Sequence, residues 1–595
     1  MPRRYGIALL LFLTPGIVRA QGTPEDLLPV GAQVYLRWDG IEAHRAAYEK
    51  SALGQMLQGD TGKFISGVFA QLQDTLGATL TVQQLLGGAA PEKLQKIQAD
   101  AAQAPQLLNL LARHGLVLAV EVRRLEPPDG QLTLVVPDAG AQPGPLFATL
   151  RLAAALAGAE IKEQKIADRT VSQLQPGGGP VFIAWWVEGK HAVVTLGTES
   201  AEAALKRLEN KEARLTAAPL LKKLQAFKQF ETSARAFIDV AALVKLARTR
   251  QEVAGLLDEL GLEGLRGLTF YSGFDGVYER GLVEWDMPGP RKGALRLLTG
   301  KPFRLTDVPP LPPDVVDWSM TNFNPVIFWD IGVQAAEGVV RLIDPEAVPK
   351  VKEVLQQIDN TLGINFRNDF LANLGEQMLS YTSPAEGPLN LGQTFAMRVK
   401  DPKKVLEALD QAVKGIAQAT GADLSVKKKT YRGTELYEVH FRQEGFFFVP
   451  TYAIHKDWLV VGYFPQTVQG FVLRASGELP GWKPDPRLQE ALDKLPKEFI
   501  SIAVSDPVPP ITQILSIAPL IAGLFNSFAP DIRLDVGSLP NAHEATRHLF
   551  PNVSVITDDG QTLRQQTRAS LNLPLNLTGL DTYGIFLFLS LGRAF

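Results

Sequence analysis

The chain of 595 residues contains no cysteine. Disulfide bonds, thiolate metal ligands, cysteine nucleophiles and a lipid-modified N-terminal cysteine are therefore all excluded. A chain of this length can fold without covalent cross-links, because the fraction of its surface that folding buries increases with chain size. The length predicts roughly two to four domains.

Histidine is scarce as well, and a strong excess of charge of either sign is missing. The chain has seven histidines, and its 60 basic and 63 acidic residues give a formal net charge of −3. A basic surface for the phosphate backbone of a nucleic acid is not indicated, so nucleic acid is not expected as a partner. The content of 46% hydrophobic and 21% charged residues is typical of globular proteins.

The first twenty residues have the pattern of a secretory signal peptide. Arg3 and Arg4 give a positively charged start, and the apolar stretch of about thirteen residues that follows is too short to cross a bilayer. Val18 and Ala20 are the small residues that a signal peptidase reads, so cleavage is predicted between Ala20 and Gln21. We therefore predict a periplasmic or secreted protein with no transmembrane span after cleavage.

The order of predicted elements occurs twice along the chain, which indicates an internal duplication. The first repeat covers residues 21–300 and the second covers residues 314–595, with a proline-rich linker at residues 301–313. Each repeat opens with a Leu-Pro pair before a short strand, and each ends in a hairpin with an Asp-Gly turn. A segment at about residues 71–111 has helical spacing and no clear counterpart in the second repeat, so it is predicted to be a helical insertion.

The middle of each repeat predicts a strand, a helix and then two hairpins. The order strand, helix, strand, strand is half of a split βαβ arrangement, in which helices cover one face of an antiparallel sheet. The sequence therefore predicts an α+β fold of two related halves, each an antiparallel sheet with helices packed on one face. A short linker would hold the halves in contact, with a cleft or a shared sheet between them.

No motif in the sequence combines the spacing of a known catalytic or metal site with the secondary structure that such a site needs. His543 and His548 are five positions apart, whereas a helical zinc motif needs two histidines four apart on one face. Ser425 and Lys428 have Ser-x-x-Lys spacing, but they lie in a strand-like run where residues three apart point to opposite faces. We predict no metal site and no cofactor, and the catalytic residues of any activity stay unknown.

Two apolar features are candidates for a surface that binds a ligand or a partner. The predicted helix at residues 511–528 is almost uniformly apolar, whereas its counterpart at residues 241–260 carries several charges. Burial between the repeats is the alternative explanation for this helix. A hairpin of the first repeat holds two adjacent tryptophans, whose rings must point to opposite faces of the sheet. The candidate residues are Trp185, Trp186, Ile514, Leu515, Ile521, Leu524 and Phe525.

Two stretches resemble a family of exported bacterial proteins known by a domain of unknown function. The first is Leu-Leu-Pro followed by Val-Tyr-Leu-Arg-Trp-Asp, within residues 27–39. The second is Asp-Phe-Leu-Ala-Asn-Leu-Gly at residues 369–375, before an apolar strand. The resemblance covers most of the mature chain in pattern and implies no particular activity.

Three functions are compatible with these patterns. The leading hypothesis is a non-catalytic binding or structural protein outside the cytoplasm, whose repeats present a sheet face or a cleft to an envelope protein. The first alternative is a carrier of lipid or another apolar ligand, with the apolar helix and the aromatic hairpins as walls. The second is a hydrolase with carboxylates from both repeats, which needs two acids within about 10 Å in one pocket. Peripheral contact with a membrane is a further alternative.

Overall fold

The computed structural model describes residues 22–67, 91–175, 179–208, 210–387, 391–421, 424–441, 448–528, 537 and 539–571. The predicted signal peptide and residues 71–90 of the predicted insertion lie outside these ranges.

Within the described residues, twenty strands pair into one sheet in which every neighbouring pair is antiparallel. The strands of the first half are β1 (Val34–Trp38), β2 (Leu116–Arg124), β3 (Asp129–Val136), β4 (Lys162–Ile166), β5 (Arg169–Leu174), β6 (Phe182–Glu188), β7 (His191–Gly197), β8 (Glu231–Ile238), β9 (Gly267–Asp275) and β10 (Tyr278–Asp286). Those of the second half are β11 (Asp317–Asn322), β12 (Leu374–Thr382), β13 (Gln393–Val399), β14 (Leu424–Tyr431), β15 (Thr434–Phe441), β16 (Thr451–His455), β17 (Trp458–Gly462), β18 (Ser501–Ser505), β19 (Asn552–Asp558) and β20 (Thr562–Ala569).

The two halves have the same strand order, which runs outward from a common seam in the middle of the sheet. From the seam, the first half has the order β10, β9, β8, β1, β2, β3, β7, β6, β5, β4. Adding ten to each of these strand numbers gives the order of the second half. The seam itself is the antiparallel pair β10 and β20, with Glu279 opposite Ala569 at one end and Asp286 opposite Thr562 at the other.

Helices connect these strands in both halves. In the first half they are Arg45–Lys50, Ala52–Leu57, Pro91–Gln103, Leu107–His114, Gly144–Leu156, Ala201–Leu208, Pro219–Gln225, Val240–Ala247 and Gln251–Leu260. In the second half they are Pro325–Ile343, Val348–Leu362, Pro402–Thr420, Pro465–Ala475, Pro486–Asp493, Val508–Phe528 and Ala542–Thr546. The α+β fold with an antiparallel sheet, predicted from the sequence, is confirmed.

Helices lie on both faces of the sheet, whereas the sequence pattern predicts them on one face. In β6, the adjacent Trp185 and Trp186 point to opposite faces. Trp185 packs in a core cluster with helix Gly144–Leu156, and Trp186 packs in a different cluster with helices Ala201–Leu208 and Pro219–Gln225. The physical reason is that β6 is apolar on both sides, so each side needs its own cover.

The second half repeats this two-sided cover. In β16, Tyr452 and its neighbour Ala453 point to opposite faces. Tyr452 belongs to the cluster that contains Val405 of helix Pro402–Thr420, and Ala453 belongs to the cluster that contains Phe471 of helix Pro465–Ala475. The core of each half is therefore two apolar layers with the sheet between them.

The described part of the predicted insertion has a counterpart in the second half. Helix Pro91–Gln103 packs against helix Gly144–Leu156. Helix Val348–Leu362 packs in the same way against helix Pro402–Thr420. The two segments share no residue pattern beyond the helical spacing of apolar positions, so comparison along the sequence did not reveal their equivalence.

The proline-rich linker packs against the second half. Phe303 and Phe499 pair through their backbones, and their rings meet edge to face with centroids 5.0 Å apart. Leu311 is buried, and its carbonyl oxygen accepts a hydrogen bond from the backbone N–H of Trp482 at 2.8 Å. The linker is thus fixed to the second half by both backbone and side-chain contacts.

Candidate functional site

The two predicted tryptophans are core residues. Trp185 and Trp186 are 1% and 2% exposed. The indole Nε1 of Trp186 donates a hydrogen bond to Oε2 of Glu188 at 3.3 Å, which satisfies its polar atom. Neither ring presents a surface to a partner in this structure.

The helix at residues 508–528, in contrast, presents four large apolar side chains to solvent. Helix Val508–Phe528 has 21 residues and contains no charged residue. Ile514 is 61% exposed, Ile517 is 45% exposed, Leu520 is 68% exposed and Ile521 is 53% exposed. These positions recur every three or four residues and form one stripe along the helix. We call these four side chains the apolar stripe.

The opposite side of the same helix faces the protein. Ile511, Leu515 and Ala518 are half-buried, and Ala522 is 5% exposed. This side packs against the short helix Ala542–Thr546. Of the predicted surface residues on this helix, Ile514 and Ile521 lie in the apolar stripe, whereas Leu515 lies on the inner side. The side chains of Leu524 and Phe525 lie outside the described residues. The alternative of burial between the repeats does not hold for the stripe.

A cavity of about 470 Å³ opens where this helix begins. Its apolar walls come from three elements, and its polar groups are two aspartates and two arginines. We call it the helix-start cavity. The lining residues are Asp485, Pro486, Arg487, Asp506, Val508, Arg547, Leu549, Phe550 and Pro551.

The two carboxylates of the helix-start cavity cap helices. Oδ1 of Asp485 accepts the backbone N–H of Arg487 at 2.9 Å and that of Leu488 at 3.1 Å, and Oδ1 of Asp506 accepts that of Val508 at 2.9 Å. Burial raises the pKa of Asp506, and the negative charge of Asp485 raises it as well, although the hydrogen bond from Val508 opposes both. Among the described residues, neither carboxylate has a basic side chain as an ion-pair partner.

The two arginines of the cavity flank one imidazole. Nη1 of Arg487 donates to the carbonyl oxygen of His548 at 3.1 Å, and its guanidinium lies 5.3 Å from the ring centroid of Phe550. Nε of Arg547 donates to Nε2 of His548 at 2.8 Å, and Nη1 donates to Glu544 at 3.0 Å. Burial lowers the pKa of His548, and the charges of both arginines lower it further. The neutral imidazole acts as a hydrogen-bond acceptor for Arg547.

A second cavity, of about 330 Å³, lies in the first half. In its wall, Nδ1 of His44 is 2.7 Å from Oε1 of Glu231, and Nε2 is 3.5 Å from Oδ2 of Asp39. Asp39 also accepts a hydrogen bond from Nε of Arg37 at 2.5 Å, so this histidine belongs to an ion network. The lining residues are Ala43, His44, Ala46, Ala47, Lys50, Glu231, Phe274 and Gly276.

Neither cavity has the geometry of the alternative functions. Carboxylates of the two halves do not meet in either one, because each cavity is lined by one half alone. The predicted walls of an apolar ligand site do not meet either, since both tryptophans are in the core of the first half. Within the described ranges, no group of three or more histidine, aspartate or glutamate side chains is placed to hold a metal ion.

Sequence reasoning missed the helix-start cavity, because its polar residues come from separate segments. Arg487 is the second residue of one helix, Asp506 precedes another, and Arg547 follows a third. The available signal was the Asp-Pro at the start of helix Pro486–Asp493 and the Asp-Pro before helix Val508–Phe528, which are typical helix starts. Nothing in that signal indicates that the two aspartates share a cavity.

In the part of the chain that the structure describes, no helix is both long and apolar enough to cross a membrane. No family model matches the sequence, and no curated protein matches it. The resemblance to the exported bacterial family therefore stays a prediction. Among solved structures, crystal form III of TP0453 is similar at 12% identity, with 46% of this chain and 83% of that chain covered and a TM-score of 0.24. Crystal form I of TP0453 is similar at 13% identity, with 46% and 81% covered and a TM-score of 0.22.

Proposed function

We propose that the protein is a non-catalytic, extracytoplasmic binding protein that attaches to a lipid bilayer surface through helix Val508–Phe528. The apolar stripe is the observation that carries this proposal. Its four aliphatic side chains are between 45% and 68% exposed on a helix without charge. Isolated apolar side chains are common on protein surfaces, but a continuous stripe of this kind is typical of a binding surface.

The energetics favour a bilayer as the occupant. Transfer of the exposed part of each aliphatic side chain into an apolar phase is worth about 1 kcal/mol, so the stripe supplies about 4 kcal/mol. A helix that lies in the interface does not have to desolvate any charge when the whole segment is uncharged. The polar side chains next to the stripe are Thr512, Gln513 and Ser516, which can reach the headgroup region.

Comparison with the first half supports an external occupant. There, helix Gln251–Leu260 is covered by helix Pro325–Ile343 of the other half. The contact is so close that a side chain at Gly338 would lie 2.4 Å from Cδ1 of Leu256, and an ion pair of 2.7 Å joins Arg341 to Glu259. Helix Val508–Phe528 directly follows β18 and takes the place of two helices, Val240–Ala247 and then Gln251–Leu260, that follow β8, yet its stripe is exposed to solvent.

The identical strand order of the two halves supports an internal duplication as the origin of the fold. The difference between the two equivalent helical segments then supports a specialised role for the second copy. The N-terminal pattern of residues 1–20 supports export, which would place the stripe where it meets an envelope membrane.

Vesicle flotation tests the proposal. The exported protein, purified with its natural N-terminus, is expected to float with phosphatidylcholine vesicles. The double variant Ile517→Glu with Leu520→Glu is expected to stay in the soluble fraction, because two charges in the stripe would have to enter the interface. Both sites are exposed, so the fold should tolerate the change.

The matched control is Val339→Glu with Ile343→Glu on helix Pro325–Ile343. These side chains are 48% and 80% exposed, so the control adds the same charges at sites of similar exposure. It should float like the unmodified chain. Absence of flotation for the unmodified chain, or equal loss in the control, contradicts the proposal. Loss of binding to an envelope protein in the stripe variant, without any vesicle binding, assigns the stripe to a protein partner instead.

A further inference from the structure

We infer that the helix-start cavity binds the headgroup of an aminophospholipid, with its phosphate on Arg487 and Arg547 and its ammonium group between Asp485 and Asp506. This inference rests on the proposed function, because the lipid would come from the bilayer on which helix Val508–Phe528 lies. The inference specifies the chemical class of the lipid, whereas the apolar stripe alone would bind any apolar phase.

The carboxylates provide the first argument. Asp485 and Asp506 line the same cavity, and among the described residues no basic side chain pairs with either. Each uses Oδ1 to cap a helix, and the structure gives the other carboxylate oxygen of each no hydrogen bond. The raised pKa of Asp506, caused by burial and by the charge of Asp485, indicates uncompensated negative charge. A ligand cation between them would supply the missing compensation.

The arginines provide the second argument. Arg487 has no carboxylate partner among the described residues, and one hydrogen bond to the backbone of His548 fixes its position. Arg547 is held by the imidazole of His548 and by Glu544. A guanidinium has five N–H donors, so each of these arginines keeps donors for a phosphate. The lowered pKa of His548, to which burial contributes most, also reflects the positive potential of the two arginines.

The balance of charge selects the class of ligand. The cavity has two carboxylates and two guanidinium groups, so a purely anionic headgroup would meet the carboxylates and a purely cationic one would meet the arginines. A headgroup with an ammonium and a phosphate satisfies both pairs. A primary ammonium can donate hydrogen bonds to carboxylates, whereas the quaternary ammonium of choline cannot.

Size and position provide the third argument. A volume of about 470 Å³ is large enough for a headgroup but not for a whole phospholipid. Val508 and Phe550 contribute apolar wall, and Val508 is the first residue of the helix that carries the apolar stripe. A headgroup in the cavity would therefore leave its acyl chains next to the stripe.

Flotation with vesicles of defined composition tests the inference. The vesicles are phosphatidylcholine alone, phosphatidylcholine with phosphatidylethanolamine, and phosphatidylcholine with phosphatidylglycerol. The exported protein is expected to bind the ethanolamine vesicles about tenfold more tightly than the other two, since one charge-assisted hydrogen bond supplies a factor of this size. Free phosphoethanolamine should not compete with the vesicles at the lipid concentrations where they bind. The free headgroup has no acyl chains for the apolar stripe to contact, so it lacks that part of the binding free energy.

Two variants test the cavity, one that removes a positive charge and one that removes a negative charge. Arg487→Gln and Asp506→Asn should each reduce binding to the ethanolamine vesicles to the level of phosphatidylcholine alone, with binding to the latter unchanged. Asn accepts a backbone N–H at a helix start as Asp does, so the second variant retains the cap of helix Val508–Phe528. Arg304→Gln, which removes an exposed ion pair with Glu498, is the control and should change nothing.

The outcomes separate this inference from the proposed function. Equal binding to all three vesicles, or an unchanged ethanolamine preference in both cavity variants, overturns the inference while the bilayer attachment stands. Full competition by free phosphoethanolamine also overturns it, because the site then serves a soluble ligand. Failure to bind any vesicle overturns the proposed function and the inference together.

Discussion

Arg280 and Arg568 lie directly opposite each other across the seam between the two halves. Both approach the same carboxylate, with Nη2 of Arg568 at 2.5 Å and Nη1 of Arg280 at 3.8 Å from Oδ2 of Asp275. At the other end of the seam, Glu284 is opposite Arg564, and Oε1 of the former is 3.2 Å from Nε of the latter. One end of the seam thus joins opposite charges, and the other end joins like charges.

Removal of one of the two opposed arginines should stabilise the seam. Like charges directly across a strand pair are destabilising, and Arg568 is too buried, with its side chain 3% exposed, for solvent to screen the repulsion. We expect Arg280→Met to raise the free energy of unfolding by about 0.5 kcal/mol, since methionine can keep the contact with Phe230. Arg564→Met is the matched change and should lower stability, because it removes one of the two basic partners of Glu284, the other being Lys223. Thermal melting of the two variants would contradict this if both shifted in the same direction.

Asp275 should be essential to the seam as long as both arginines are present. Asp275→Asn leaves two guanidinium groups with no carboxylate between them, and we expect a loss of about 2 kcal/mol. This is less than for a fully buried pair, because the Asp275 side chain is 40% exposed to solvent. Adding Arg280→Met to this variant should recover part of the loss. A double variant no more stable than Asp275→Asn would argue against charge repulsion as the cause.

Protonation of Asp275 should contribute to the loss of stability of the protein in acid. Burial alone would raise the pKa of Asp275, but its hydrogen bond with Arg568 and the charges of Arg568, Arg280 and Lys494 lower it. A carboxyl group whose pKa is lower in the folded than in the unfolded chain stabilises the fold when it is ionised. This stabilisation is fully present above the pKa of the unfolded chain, about 3.9, and it is lost as the pH falls through the pKa of the folded chain. Below about pH 4, the melting temperature should fall less steeply in Asp275→Asn than in the unmodified chain. Asp457→Asn, in an exposed pair with Arg398, should keep the unmodified profile.

Truncation of the buried Trp186 and of Leu520 in the apolar stripe should affect stability to very different extents. Trp186→Ala removes a ring that is 2% exposed and should cost about 3–5 kcal/mol of stability. Leu520→Ala removes a side chain that is 68% exposed and should change stability by less than about 0.5 kcal/mol. Melting temperatures of the two variants check this, and a large loss in Leu520→Ala would mean that the stripe is covered in solution.

Export predicts a defined N-terminus. If the signal pattern at residues 1–20 is functional, the protein isolated from the envelope or the medium should begin at Gln21. N-terminal sequencing of that protein provides the measurement. Ala20→Lys should block processing, since the residue before the cleavage site must be small. Unprocessed chain in the cytoplasm of otherwise normal cells would contradict export.

Local features of the fold were predictable because they depend on neighbouring residues. The Asp-Gly turns at Gly276 and Gly560 are an example, since both glycines have positive φ, +65° and +83°, between paired strands. The adjacent Trp185 and Trp186 were expected on opposite faces, and they are. The helices that cover each face are distant from β6 in sequence, so the second layer of helices was not predicted.

The charge pattern of the seam and the helix-start cavity could not be derived from the sequence for the same reason. Arg280 and Arg568 become neighbours only because β10 and β20 pair in one particular register. A shift of one residue would place each side chain opposite a different partner and on the other face. The apolar character of helix Val508–Phe528 was evident from the sequence, but its exposure depends on which elements of the other half reach it.

The seam also limits how many unpaired strand edges the molecule exposes. Two separate sheets would have four edges, whereas the described strands form one linear order that ends at β4 and β14. Both terminal strands carry lysines, including Lys162 and Lys165 in one and Lys427, Lys428 and Lys429 in the other. Charged side chains of this kind discourage other chains from adding a strand. Separation of β10 from β20 would create two new strand edges. The edge formed by β10 contains the adjacent apolar residues Leu282 and Val283. Pairing of β10 with β20 therefore protects the protein against aggregation through this edge.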